Sequence, residues 1–250
     1  MRTLSRTAFA VITVFWIGCA AAADLVISAA TSLTNAFTEI GKEFDQSNPG
    51  QKAVFNFAGS GALLQQIARG APVDVFASAD QETMDRAAKQ NLIVGSSRAD
   101  FVRNTLVAIG PKGTGSAPKS FEDLKNATVT RLAISNPASV PAGRYAREAL
   151  EAAGLWDAVK AKALNTRNVR QSLDYVARGE ADAGFVYRTD VAVMANKVEV
   201  LFEVPTRTPI LYPIAAVKGN GNENNAMKFI DYVRSDAGQR ILAKYGFRKP

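Results

Sequence analysis

The chain has 250 residues, 30 Lys+Arg against 23 Asp+Glu, a formal net charge of +7, and 47% hydrophobic against 21% charged residues. That balance supports a buried core and excludes an intrinsically disordered chain, and the length suits one large domain or two of about 100 residues each. His is absent, which excludes imidazole bases and His-ligated metals, and Cys19 is the single Cys, which excludes an internal disulfide.

Arg2 and Arg6 precede an apolar run from Ala8 to Gly18, and Ala21-Ala22-Ala23 supplies a small-x-small cleavage pattern. Residues 1–23 are expected to be a cleaved secretory signal peptide, too short for a comfortable membrane span. A loose lipobox, Trp16-Ile17-Gly18-Cys19, offers a lesser reading in which the product keeps a lipid anchor at Cys19. With Arg2 and Arg6 removed, 28 basic residues face 23 acidic ones, scattered among one another without aromatic interleaving. No nucleic-acid partner is expected from such a surface. Large periplasmic domains commonly do without disulfides, so a soluble exported protein is expected.

Beyond the leader, short apolar runs alternate with segments of helical period. Leu25-Val26-Ile27 reads as a strand, followed by Leu33, Ala36, Phe37, Ile40 and Phe44 on one helical face. Strand Val54–Phe57 precedes a helix marked by Leu63, Leu64 and Ile67; strand Val73–Phe76 precedes one marked by Met84, Ala87 and Leu92. Further strands are predicted near 104–110, 131–135, 183–187, 198–204 and 211–217. Helices are predicted near 142–154, 169–179, 224–234 and 236–245. This alternation predicts an α/β fold of mixed, mostly parallel sheet flanked by helices. The Gly/Pro-rich loop Gly110–Gly115 and the segment Val204–Pro209 look like crossings between two lobes. The expected division is residues 24–103 with 209–250 in a discontinuous first lobe, and residues 104–208 in the second.

The informative residues sit where strands hand over to helices. An open α/β sheet binds ligands beyond the carboxyl ends of its strands, and helix N-termini there offer unpaired N–H groups and a positive dipole end to an anion. Four junctions qualify: Ala29-Ala30-Thr31-Ser32, Ala58-Gly59-Ser60-Gly61, Val140-Pro141-Ala142-Gly143 and Asn168-Val169-Arg170. Tyr187, closing the strand Ala183–Val186, is a fifth element. Singly, each has an ordinary reading: Ser as an N-cap, Pro141 as helix punctuation, Tyr187 as a boundary phenol. No nucleophile elbow, phosphate-binding Gly-Lys-Ser/Thr loop or metal-ligand spacing is present, and Asp80-Gln81-Glu82 reads as an N-cap with an acidic first turn, so an enzyme is not expected.

Together, Ala29–Ala36, Phe57–Gly61, Gly70–Gln81, Val140–Gly143, Val169-Arg170 and Tyr245-Gly246-Phe247 resemble the periplasmic molybdate-binding proteins of ABC importers, in order and spacing over the whole mature chain. The resemblance implies a two-lobed type II periplasmic-binding-protein fold that holds molybdate, and probably tungstate, in the interlobe cleft without a cofactor. It implies a periplasmic monomer that delivers the anion to an inner-membrane ABC permease. The oxyanion contacts then fall on Ser32, Ser60, Ala142, Val169 and Tyr187, and no bare metal cation is bound. Their hydroxyl and N–H groups count to seven neutral donors. A same-fold protein for another oxyanion such as sulfate, or for a small organic acid, is the alternative. Two departures flank the site: Gly59 and Gly61 stand where many relatives carry Ser, and Arg144 follows the Pro-Ala-Gly turn, where it either adds charge to the cleft or faces solvent. Whether Arg170 faces the cleft is open as well.

Overall fold

The computed structural model describes residues 24–115 and 117–250. The expected leader, with Cys19, lies outside them. Ten strands form two five-stranded sheets among the described residues. The first is built from β1 (Leu25–Ala30), β2 (Ala53–Ala58), β3 (Val75–Ala77), β4 (Ala99–Asn104) and β10 (Ile210–Ala216), in the order β2-β1-β3-β10-β4. The second takes β5 (Leu106–Pro111), β6 (Leu132–Ser135), β7 (Ala163–Thr166), β8 (Ala183–Tyr187) and β9 (Val198–Glu203), in the order β7-β6-β8-β5-β9. The parallel share is smaller than the alternation predicts. In each sheet two of the four pairings are antiparallel, because β10 runs back between β3 and β4, and β5 runs back between β8 and β9.

Helices cover both sheets. Around the first lie α1 (Thr34–Ser47), α2 (Ser60–Ala68) and α3 (Gln81–Lys89); α4 (Pro141–Ala152), α5 (Trp156–Val159), α6 (Val169–Ala177) and α7 (Arg188–Val191) accompany the second; α8 (Glu223–Arg234) and α9 (Asp236–Lys244) return to the first. The apolar stripe of α1 buries Ala36, Phe37, Ile40 and Phe44, as its spacing predicts. Phe37 meets Phe55, Phe101 and Phe229 with ring centroids 5.7–6.2 Å apart, so α1, β2, β4 and α8 are tied through one aromatic cluster. Burying each such side chain contributes about 1.5–3 kcal/mol.

Register is what positions the functional end. Ala30 lies level with Ala58 and Ala29 with Ala77, so the carboxyl ends of β1, β2 and β3 finish side by side. Ser135 lies level with Thr166 in the second sheet. The chain passes between the sheets at Thr105, between Asn104 and Leu106, and returns between Glu203 and Ile210. Pro213 falls at a register shift in β10, where a missing N–H costs no ladder bond. The preceding residue, Tyr212, is fully buried.

Candidate functional site

The two lobes meet across a cleft, and their strand ends face one another there. On the first lobe, β1 runs into a 3-10 turn, Thr31–Leu33, that opens α1, and β2 runs through Gly59 into Ser60, the first residue of α2. On the second, Val140 caps α4 ahead of Pro141, and Asn168 caps α6, its side chain accepting from the Gln171 N–H at 3.0 Å. The N–H groups of Ser60, Ala142 and Val169, at the starts of α2, α4 and α6, have no acceptor among the described residues. All five residues singled out in the sequence, Ser32, Ser60, Ala142, Val169 and Tyr187, line one cavity and are at most 3% exposed. The space is small, with about 10 Å³ open to the centre of a water-sized sphere, room for one compact guest. No Lys, Arg, Asp or Glu is among the residues that line it.

The hydroxyl groups show which way they can donate. The Ala79 N–H donates to Ser60 Oγ at 3.1 Å, which leaves the Ser60 hydrogen for the cavity. Ser32 Oγ lies 3.0 Å from the Tyr212 hydroxyl. The Tyr187 hydroxyl reaches the Ala79 carbonyl at 3.5 Å, a long bond that a better acceptor would displace. Burial, the largest cause, holds the Tyr187 and Tyr212 phenols well above the ordinary value of 10.0, so both keep their protons. The Tyr187 backbone is fixed by its N–H, which donates to Asp190 at 3.1 Å. Thr31 Oγ1 is buried beside the cavity with no hydrogen-bond partner among the described residues.

The second lobe aims its N–H groups by packing. A Cβ on Gly143 would sit 1.9 Å from the Ser135 carbonyl oxygen, so only Gly lets the first turn of α4 lie against the end of β6. Ser135, Thr166 and Ser172 form a closed, buried hydroxyl triangle with edges of 2.7–3.1 Å, which joins the ends of β6 and β7 to α6.

The departures from the family pattern find their places in the seam between the lobes. The Gly61 N–H donates to the Ser139 carbonyl of the facing lobe at 2.9 Å, and a Cβ on Gly61 would stand 2.6 Å from that oxygen. Gly59 faces the Arg167 carbonyl and Val140 in the same way. These glycines are seats for the opposite main chain, which their reading as missing hydroxyls did not anticipate. Arg144 neither enters the cavity nor faces solvent. Its guanidinium crosses the cleft to Asp80 at 2.6 Å, with side-chain exposures of 11% and 4%, and also reaches Thr83 Oγ1 at 2.7 Å. Burial alone would lower the Arg144 pKa; Asp80 offsets this and holds it above its ordinary value. Asp80 is also the N-cap of α3, as its sequence suggests, accepting from the Thr83 N–H. Arg170 pairs with the buried Asp190 at 2.6 Å and lines a separate cavity of about 170 Å³ behind Ser32. Sequence reasoning missed Ala79, Tyr212 and Asn104, whose roles depend on contacts between distant segments.

Residues 25–248 match the family model described as bacterial extracellular solute-binding protein. Molybdate-binding protein ModA of Haemophilus influenzae is 37% identical over 234 residues, covering 91% of both chains. A solved chain described as the substrate-binding domain of a molybdenum ABC transporter from Clostridium difficile is 36% identical, with a TM-score of 0.68 over 91% of this chain and 99% of that one. The periplasmic molybdate-binding protein of Azotobacter vinelandii shares the fold, with a TM-score of 0.80 over 90% of this chain and 99% of that one at 24% identity.

Proposed function

The chain belongs to the family of bacterial extracellular solute-binding proteins, and from that premise we propose that it captures molybdate, and tungstate with it, for delivery to an ABC permease. One observation carries the reading: Ser32, Ser60, Ala142, Val169 and Tyr187 converge from both lobes on one small cavity rich in hydrogen-bond donors and free of charged side chains. The ligand contacts are those five residues. They offer the hydroxyls of Ser32, Ser60 and Tyr187 and the N–H groups of Ser32, Ser60, Ala142 and Val169, and the orphaned Thr31 hydroxyl supplies an eighth donor.

Four oxygens of a tetrahedral dianion can be saturated by such a set. Each bond to a charged acceptor contributes roughly 1.5–3 kcal/mol net, before the cost of closing the lobes. Helix dipoles at α2, α4 and α6 add a favourable term. Because no cation touches the guest, release needs only that the lobes part, and the charge pair that must separate, Arg144 with Asp80, sits in the seam. Phosphate at neutral pH carries a proton and favours a site with a carboxylate or similar acceptor, which these five positions do not supply; sulfate is fully ionised, so only the size of the cavity separates it from molybdate.

The two lobes are residues 24–103 with 209–250, and 104–208. The strand memberships of the two sheets support this division except at Asn104, which ends β4 in the first sheet and so falls to the first lobe. Among the described residues no helix is long and apolar enough to cross a membrane. Export through the leader to the periplasm, and action there as a monomer, follow from the family reading. Calorimetric titration with molybdate, tungstate, sulfate and hydrogen phosphate tests the proposal. Tight 1:1 binding of the first two, with a rise in melting temperature, is expected. Preference for sulfate or hydrogen phosphate would overturn it.

A further inference from the structure

Resting on the oxyanion reading above, we propose that Tyr212 and Asn104 are positioning residues that form a one-way hydrogen relay, fixing the Ser32 hydroxyl as a donor to the guest. Neither residue lines the cavity. The direction follows from the partners. Asn104 Oδ1 accepts the Thr105 N–H at 2.9 Å, so the side-chain amide is oriented by a group that can only donate. Its Nδ2 then faces the other way and donates to Thr189 Oγ1 at 2.9 Å and to the Tyr212 hydroxyl at 3.3 Å. An amide nitrogen cannot accept, so Tyr212 receives a hydrogen there and must send its own elsewhere.

Tyr212 is 0% exposed, and its other partner is Ser32 Oγ at 3.0 Å. If Ser32 donated to Tyr212, the phenol hydrogen would be buried without an acceptor among the described residues. That arrangement is disfavoured by roughly tenfold or more in population. Tyr212 therefore donates to Ser32, and the Ser32 hydrogen is left for the cavity. Hydrogens thus run in one sense, from Asn104 through Tyr212 and Ser32 to the guest. Ser60 is oriented in the same sense by the Ala79 N–H. The relay starts at the crossing between lobes, and Thr189 ties Asn104 to the second of them. Its consequence is specificity: Ser32 turns a hydrogen, and not a lone pair, to the anion, which favours a fully ionised oxyanion over one that carries a proton.

The test is a double-mutant cycle read by calorimetry with sodium molybdate. Asn104→Asp keeps the acceptor for the Thr105 N–H but places an acceptor opposite Tyr212, which reverses the relay. We expect it to weaken molybdate binding about 30-fold or more, whereas in the Tyr212→Phe background the same change costs no more than about 3-fold, the residue of its charge alone. Tyr212→Phe by itself should cost about 5-fold for molybdate and should not weaken hydrogen phosphate. Equal losses for Asn104→Asp in both backgrounds would overturn the relay. If Asn104→Asp fails to give a cooperative melt, Asn104→Ala takes its place, with about a 5-fold loss expected in the native background and none beside Tyr212→Phe; equal losses again overturn the relay. A wild-type protein that does not bind molybdate would overturn the oxyanion reading, and the relay with it.

Discussion

The two lobes bring hydrogens to the same cavity by different means. The first uses side chains: Ser32 and Ser60 carry hydroxyls whose directions are set by Tyr212 and by the Ala79 N–H. Apart from the Tyr187 hydroxyl, the second relies on main chain at Ala142 and Val169, held by a helix pressed against β6 at Gly143 and by the Ser135–Thr166–Ser172 triangle. Side-chain deletion can therefore strip a donor from the first lobe. In the second, the Ala142 and Val169 donors are reached only by moving backbone, so damage to them should register as lost stability before lost affinity.

The largest effect expected from this contrast is at Gly143. Gly143→Ala forces a Cβ to 1.9 Å from the Ser135 oxygen, and about 3 kcal/mol of stability should be lost in chemical denaturation. An unchanged denaturation midpoint would break the contrast at its strongest point. Gly61→Ala is the counterpart on the first lobe. Its obstruction lies across the cleft, so the unliganded protein should be as stable as wild type or about 0.5 kcal/mol more so, while molybdate affinity falls by about 2 kcal/mol. Calorimetry beside a denaturant curve separates the two, and a matched loss of both would refute the seam.

Smaller changes sharpen the comparison. Ser60→Ala should weaken molybdate binding by about 1–3 kcal/mol with folding intact. Ser172→Ala should instead lower stability by about 1–2 kcal/mol, with a lesser effect on affinity. Reversal of that order, measured on the pair together, would argue against assigning Ser60 as a donor to the guest and Ser172 as a support for main chain. The least effect is expected from pH. With no His in the chain, and with burial holding the Tyr187 and Tyr212 phenols above 10.0, no donor changes protonation between about pH 6 and 8. A raised phenol pKa keeps the donor form through that window and loses it only above, so affinity should be flat; a steep change would point to a titrating ligand group outside this set.

Much of this was legible in the sequence, and for a local reason. Ser60 between two glycines after Phe57-Ala58, and Pro141-Ala142-Gly143 after an apolar run, are strand-to-helix punctuation whose meaning does not depend on distant segments. The amphipathic face of α1 was legible for the same reason. What escaped was β4, with Asp100 and Arg103 breaking its apolar pattern, and β7, a four-residue edge strand without alternation. Both are defined by the strand they join, as is the antiparallel insertion of β10. Tyr212 and Asn104 escaped because their partners lie 180 and 85 positions away in the chain. The destination of Arg144 was likewise open until α3 and α4 were seen to face one another.

The seam at Gly61 and Ser139 joins main chain to main chain, with no side chain between that could be lengthened or trimmed. At this point the spacing of the closed lobes is accordingly set by main chain against main chain. A wider chamber can therefore come from re-routing the loop at Ser139 or from giving position 61 a side chain, which would prop the two main chains apart.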